Sequence, residues 1–381
     1  MEKSSLKNFI SRAAVTLAAL ILIITQTGCM SNDQNAAANQ GVAKTGFYLD
    51  TVCTITIYGI EDSDGRLAAM SDEELEKECY LIITDAFKLC SEYENMLSKT
   101  REGSDIDRIN KAGGVPVAVS DETIEVIKNG IRFGELSGGA FDITIGKATD
   151  LWDFHDDEEG GHDGGTIPDA DDLENAVSHV NYKNINIVGN KVSLSDPETE
   201  INLGGIAKGF IADKVAEYLE GRGVVSAIVD LGGNIVALGG KTSQLVVSVD
   251  DAGDTADKQA EFKVGIKDPA AEDGSLLGIV PCKNKTVVTS GTYERYFEKD
   301  GVKYHHILDV STGYPVDTDV LSVTIISDRG NSADCDGLST TCLALGMEKG
   351  MKLVRSLESF ESVFVDTEGN VETSSDSIQI S

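Results

Sequence analysis

The chain has 381 residues and 41% hydrophobic content, enough to bury a substantial core, which excludes a disordered protein. Its 64 acidic against 32 basic residues give a formal charge of −32, so phosphate backbones are repelled over most of the surface and nucleic-acid partners are set aside. A phosphate-bearing small ligand would need a local remedy on such a surface: a metal ion, backbone N–H groups or a few placed cations.

The N-terminus reads as an address. Lys3, Lys7 and Arg12 precede an apolar run from Ala13 to Ile24 that is short for a membrane span, and the run ends at Thr27-Gly28-Cys29. Small residues before a cysteine look like a lipoprotein cleavage site, with Cys29 lipidated; an ordinary signal peptide or an uncleaved anchor is the alternative. The expected location is the extracytoplasmic face of the cell membrane, held there by lipid. Residues 30–44, rich in Asn, Ala and Gln, read as a flexible tether, residues 45–372 as the folded domain and 373–381 as a tail. The other cysteines (Cys53, Cys79, Cys90, Cys282, Cys335, Cys342) form no C-x-x-C pair and read as apolar packing residues, with a disulfide left open.

Along the body, Phe47 to Tyr58 reads as a strand, Ser71 to Asn95 as a helix with an acidic first turn, and Asp121 to Ser137 as an amphipathic helix capped by Ser120. Asp156 to Asp172, crowded with Asp, Glu and Gly, reads as a solvated surface insertion and lacks the ordered loop of a calcium-binding EF-hand. Short strands follow at Ile185 to Val188, Lys191 to Leu194, Ser226 to Val229, Leu245 to Val249 and Lys263 to Ile266, around a helix from Ile206 to Glu220. Further strands are expected at Thr286 to Ser290, Tyr293 to Glu298, Tyr304 to Leu308 and Leu321 to Ser327, then a helix from Asp336 to Leu345 that Gly346 interrupts. The mixture predicts an α+β fold of mixed sheets with packed helices, with a domain cut near residue 200.

The chemistry collects where glycines end elements. In Ile201-Asn202-Leu203-Gly204-Gly205-Ile206-Ala207-Lys208-Gly209, a double glycine opens a helix, which would turn unpaired N–H groups and a positive dipole end toward a phosphate, with Lys208 adding a full charge; tight packing is the competing reading. Asp336 and Thr340, four residues apart, share a helix face and each offers an oxygen. Magnesium needs only one or two protein carboxylates and completes its shell with water and substrate phosphate, so this pair is chemically sufficient; helix capping is the plain alternative, and Asp334 is a rival ligand. Ser290 to Tyr296, Tyr304-His305-His306-Ile307-Leu308-Asp309 and Thr312-Gly313-Tyr314-Pro315 bring serine, histidine and carboxylate together. Ser290 lacks the surroundings of a hydrolase nucleophile, so a histidine that accepts or donates a proton is the more useful reading.

Taken in order, these strings resemble the FAD:protein FMN transferases, flavin transferases once called thiamine-biosynthesis lipoproteins. The resemblance runs from about Phe47 to about Gly346 and is carried by Gly139-Ala140-Phe141-Asp142-Ile143-Thr144, Leu151-Trp152-Asp153-Phe154, Asn202 to Gly209, Asp230-Leu231-Gly232-Gly233-Asn234, Thr289 to Tyr296, His306 to Pro315 and Asp336 to Thr340. It implies an FAD and Mg²⁺ site in a cleft between two lobes. By resemblance, Asp336, Thr340 and the Gly205 carbonyl ligate the metal; Leu49, Thr100, Ala140, Phe141, Asp142, Asn202, Lys208 and Leu308 fall where the family contacts FAD; and His306 matches the histidine linked to catalysis, with Asp309 as a second candidate base. The flavin end departs from the pattern, since Leu49-Asp50-Thr51 stands where Met-Gly-Thr is usual and Thr100 where an aromatic residue is common, which predicts weaker or rearranged flavin stacking. The implied reaction moves FMN from FAD to a Thr or Ser hydroxyl of an exported acceptor, a subunit of a membrane redox complex or an extracellular flavoprotein, and releases AMP. An FAD pyrophosphatase and a noncatalytic flavin-binding lipoprotein are the rivals.

Overall fold

The computed structural model describes residues 40–154, 165–248, 259–271, 274–375 and 378. Cys29 with its leader, most of the tether and the centre of the acidic insertion lie outside the described residues. The fold is α+β, as expected. In chain order its elements are β1 (Val42–Tyr48), β2 (Thr51–Asp62), α1 (Asp72–Leu97), α2 (Asp105–Asn110), β3 (Val117–Ala118), α3 (Asp121–Leu136), α4 (Gly146–Thr149), α5 (Ala170–Val177), β4 (Ile185–Val188) and β5 (Lys191–Leu194). The second half adds α6 (Ala207–Gly221), β6 (Val224–Leu231), β7 (Asn234–Leu238), β8 (Val246–Ser248), β9 (Phe262–Lys267), β10 (Leu276–Cys282), β11 (Lys285–Gly291), β12 (Tyr296–Lys299), β13 (Val302–His305), β14 (Val320–Asp328), α7 (Ser332–Arg355), β15 (Phe360–Asp366) and β16 (Val371–Thr373).

A nine-stranded sheet in the order β1-β2-β6-β7-β11-β14-β15-β16, with β8 beside β2, forms the frame. Because β2 pairs with β6 from Cys53↔Leu231 to Ile60↔Val224, the sheet crosses residue 200, and the boundary expected there is absent. The tether also ends early, since Val42, Ala43 and Lys44 already pair with β2. The strand expected from Phe47 to Tyr58 is a hairpin instead, turning at Leu49 and Asp50, both at positive φ (55° and 56°).

Alternation decides which layer each strand residue meets. Val288, Ile325 and Phe364 join the core shared with the helices, while their neighbours Val287, Ile326 and Val363 meet the β9–β10 hairpin through Phe262, Val264, Ile266 and Val280. With both faces covered, these strands read as continuous apolar runs rather than as alternating ones. On the helical side, α1 begins at a capping box in which Ser71 accepts from Glu74 N–H and the Glu74 carboxylate accepts from Ser71 N–H, and it buries Leu75, Cys79, Ile82, Ile83, Ala86 and Phe87. Ser120 caps α3 as expected. The insertion ends sooner than expected, because Asp169 caps α5 and Ala170 to Asp172 are helical. The six cysteines of the body are buried and free, and burial pushes the Cys53 thiol up to about 11, so they pack as apolar side chains.

Candidate active site

Two helix starts define the floor. Helix α6 has no side-chain cap at Ile206, and α7 has none at Asn331. Each borrows a carboxylate from the other: Gly209 N–H donates to Asp336 Oδ2 (2.8 Å), and Ala333 N–H donates to Asp213 Oδ2 (3.0 Å). The crossing is close enough that a Cβ at Gly209 would stand 2.2 Å from the Ser332 carbonyl oxygen, so glycine is required by contact.

Most of the N–H groups that the double glycine was expected to leave for phosphate are engaged within the chain. Gly204 N–H donates to the Asn202 side chain (2.9 Å), Ile206 and Ala207 N–H donate to the Leu203 carbonyl (3.0 and 2.9 Å), and Gly209 N–H is taken by Asp336. The positive end of α6 therefore acts on a carboxylate of the chain itself. Asp336 is 3% exposed; burial pushes its pKa up, while Lys208 and the Gly209 N–H hold it down.

One turn beyond Asp336, Thr340 Oγ1 lies 3.3 Å from Ser290 Oγ, which also meets Ser339 Oγ at 2.8 Å. A Cβ built on Gly205 would stand 3.6 Å from the Thr340 methyl and 3.1 Å from the Phe141 ring. Asp336, Thr340 and Gly205 thus converge, with Phe141 as a wall. Asp334 turns away: it pairs with Arg132 and accepts from Asn129 Nδ2 (3.3 Å), both on α3. No group of three or more His, Cys, Asp or Glu side chains suited to a metal occurs among the described residues.

Lys208 is the electrostatic hub. Its charge lowers the pKa values of Asp336, Asp230, Glu294 and His306. Sequence reasoning singled out neither Asp230 nor Glu294, although both lie inside the quoted strings. Burial pushes the Asp230 carboxyl up, and the N–H groups of Gly233 and Gly232 offset it. Glu294 keeps an exposed surface yet is ringed by protein, and the crowding raises its pKa.

The rim is made of loops. His306 donates its backbone N–H to the Arg295 carbonyl (3.1 Å), and its Nδ1 lies 3.1 Å from the same oxygen. Since a carbonyl only accepts, Nδ1 carries the proton in this contact and Nε2 is left as the acceptor. Burial pulls the His306 pKa down to about 3, so the ring is neutral near pH 7. The Arg295 guanidinium in turn donates to the Asp50 carbonyl (3.1 Å), tying the Leu49–Asp50 turn to the histidine. Asp309 is committed to its own loop, where Oδ1 accepts from Ser311 N–H (2.7 Å), Ser311 Oγ (2.5 Å) and Thr312 N–H (3.2 Å). Leu308 is buried with Trp152, Leu173 and Phe297; Trp152 stacks on Phe154 (centroids 5.6 Å), Phe297 on Tyr304 (5.1 Å), and Trp152 Nε1–H donates to the Gly313 carbonyl (2.8 Å).

The remaining expected contacts divide by what their side chains already do. Asp142 accepts from Thr144 N–H (2.8 Å), Thr144 Oγ1 (2.6 Å) and Tyr182 N–H (2.8 Å), and Asn202 Nδ2 donates to Thr149 Oγ1 (3.0 Å), so any ligand contact at either falls chiefly to the backbone. Ala140 is half-buried beside Phe141. Leu49 N–H reaches Glu94 Oε2 (3.5 Å), whose other oxygen accepts from Arg101 (2.8 Å), the residue after the exposed Thr100.

The sequence and the α+β frame match one class of known proteins. The profile of the ApbE family matches residues 49–364. An FAD:protein FMN transferase of Treponema pallidum (strain Nichols) is 36% identical over 334 residues, 86% of this chain and 84% of that protein. The crystal structure of an ApbE protein from Thermotoga maritima superposes with a TM-score of 0.71 at 29% identity, covering 88% of this chain and 97% of that one. The flavin transferase ApbE from Vibrio cholerae gives 0.69 at 26% identity, covering 89% and 99%. The chain belongs to the ApbE family, and with it to an enzyme class, the FAD:protein FMN transferases.

Proposed function

We propose that this enzyme transfers the FMN half of FAD to a Thr or Ser hydroxyl of an exported acceptor protein with the help of Mg²⁺, and releases AMP. The observation that carries the reading is the convergence of Asp336, Thr340 and Gly205 under the charge of Lys208. The donors suit the ion: one carboxylate whose burial is partly offset by Lys208 and the Gly209 N–H, one hydroxyl, and one backbone carbonyl on a residue with no side chain in the way. When bound, Mg²⁺ would neutralise charge on the diphosphate of FAD.

The chain's own residues account for the rest. Lys208 supplies a full positive charge that counters the diphosphate. The acceptor hydroxyl oxygen bonds to the flavin-side phosphorus as the bond between that phosphorus and the bridging oxygen breaks, and the bridging oxygen leaves with AMP. The hydroxyl proton passes to Nε2 of His306, whose tautomer the Arg295 carbonyl holds. Asp309, engaged by Ser311 and Thr312, is less suited to that task.

Incubation with FAD, Mg²⁺ and a candidate exported acceptor domain tests the reading. Acceptor gaining the mass of FMN, and failing to gain it in EDTA, is the expected result. Free FMN and AMP without labelled acceptor would make the enzyme a pyrophosphatase, and intact FAD would leave binding alone. We also propose that the protein is exported and held at the membrane by lipid on Cys29; Cys29→Ser should release it to the soluble fraction, and unchanged mass and retention would oppose this. Among the described residues no helix is long and apolar enough to cross a membrane.

A further inference from the structure

Asn234 opens β7, is 1% exposed, and leaves both Oδ1 and Nδ2 without a hydrogen-bond partner. A carboxamide offers two donors and two acceptor lone pairs, and burying them bare is costly, so such a group in a native fold calls for an explanation. The register says where it points. Asn234 pairs with Val288 on β11, so the two side chains share a face of the sheet, and Ser290, two residues further on, lies on that face as well. Ser290 Oγ meets Ser339 and Thr340 of α7. Asn234 therefore faces the metal-bearing start of α7.

Its charged neighbour there is Asp336. The Asn234 amide lies near enough to help hold that carboxyl down, yet short of a hydrogen bond of full geometry. The turn that precedes it is pinned, because Gly233 N–H donates to Asp230 Oδ1 (3.2 Å) and the Gly233 carbonyl accepts from Thr289 N–H (3.2 Å). A leucine, with the same branching, would meet the apolar Val288 and Val236 on that face without a polar cost.

We propose that Asn234 is a further member of the divalent-cation site, its Oδ1 directed at the ion and its Nδ2 steadying Asp336. The proposal rests on the reading of Asp336 and Thr340 as cation ligands. It accounts for a bare amide in a closed core: the ligand-free fold bears the cost, and the bound ion removes it.

The test uses Asn234→Leu and Asn234→Asp in the full chain, with Mn²⁺ as probe and ADP supplying a diphosphate. Thermal unfolding in EDTA and Mn²⁺ affinity by electron paramagnetic resonance are read together. Asn234→Leu should melt at or above the parent temperature in EDTA yet bind Mn²⁺ at least about tenfold more weakly, the lower range for residues that support a metal site. Asn234→Asp, which keeps an oxygen, should retain Mn²⁺ binding. Parent-like Mn²⁺ affinity in Asn234→Leu, or a lowered melting temperature in EDTA with affinity unchanged, would overturn the proposal and leave Asn234 a packing residue. A parent protein that binds no Mn²⁺ would instead overturn the cation reading beneath it.

Discussion

Asp336 and His306 both sense the charge of Lys208, yet the chain holds them in different ways. Asp336 stands on a helix and is locked by the opposing start of α6, so its place is set by regular backbone. His306 stands in a loop and is held by the carbonyl of Arg295, whose own side chain ties down the Leu49–Asp50 turn, while aromatic rings around Trp152 pin the chain that follows. The charged floor is thus built from helix termini, and the rim that carries His306 is built from loops on a rigid frame.

The sharpest way to separate the two is to remove charge from the floor without removing its hydrogen bond. Asp336→Asn retains an acceptor for Gly209 N–H and should lose FMN transfer by about a thousandfold or more, the upper range for a group that counters transition-state charge. Circular dichroism should remain that of the parent. Asp336→Ala is a poorer probe because it also uncaps α6.

On the rim, His306→Ala should keep FAD affinity by titration and lose single-turnover transfer by at least about a hundredfold. Because burial pulls the His306 pKa down to about 3, the base form is present throughout pH 5 to 8, and transfer by the parent should show no acid limb from this residue in that range. A limb near pH 6.5 that vanishes in His306→Ala would break the assignment of environment, though not of role.

The reciprocal cap offers a stability test independent of activity. Burial raises the Asp213 pKa from 3.8 to about 6, so the fold favours the protonated form. That stabilising share is fully present below pH 3.8 and is lost as pH rises through about 6. Asp213→Asn keeps an acceptor for Ala333 N–H but cannot ionise, so it should gain on the parent by about 1–3 kcal/mol between pH 4 and pH 7 in urea denaturation. The same difference at both pH values would refute the titration.

The smallest effect belongs to Asp334→Ala. Its partner Arg132 is partly exposed, so about 1 kcal/mol or less of stability should be lost, and transfer should stay within about a factor of three of the parent. A large loss of Mn²⁺ affinity in this variant would put Asp334, not Asp336, in the site.

How much of this was legible in the residues depended on the range of the forces involved. Ile185 to Val188 and Lys191 to Leu194 matched β4 and β5 because local alternation and an intervening turn set them. The hairpin at Leu49 and Asp50 was missed because neither residue is glycine, and their positive φ is held by contacts from Glu94 and Arg295 far along the chain. Strands β15 and β16 went unread at the end of the sheet, where pairing with β14 supplies what the local pattern does not.

The sequence by itself determined the family, the α+β class and the helical spacing that puts Asp336 and Thr340 on one face, because motifs and periodicity are local properties. Only the tertiary structure decided which groups remain for a ligand. Whether an N–H, a carboxylate or an amide is free depends on what another segment brings to it: Asp336 takes the N–H of Gly209, Arg132 draws off Asp334, and Asn234 nears Asp336 without a hydrogen bond of full geometry.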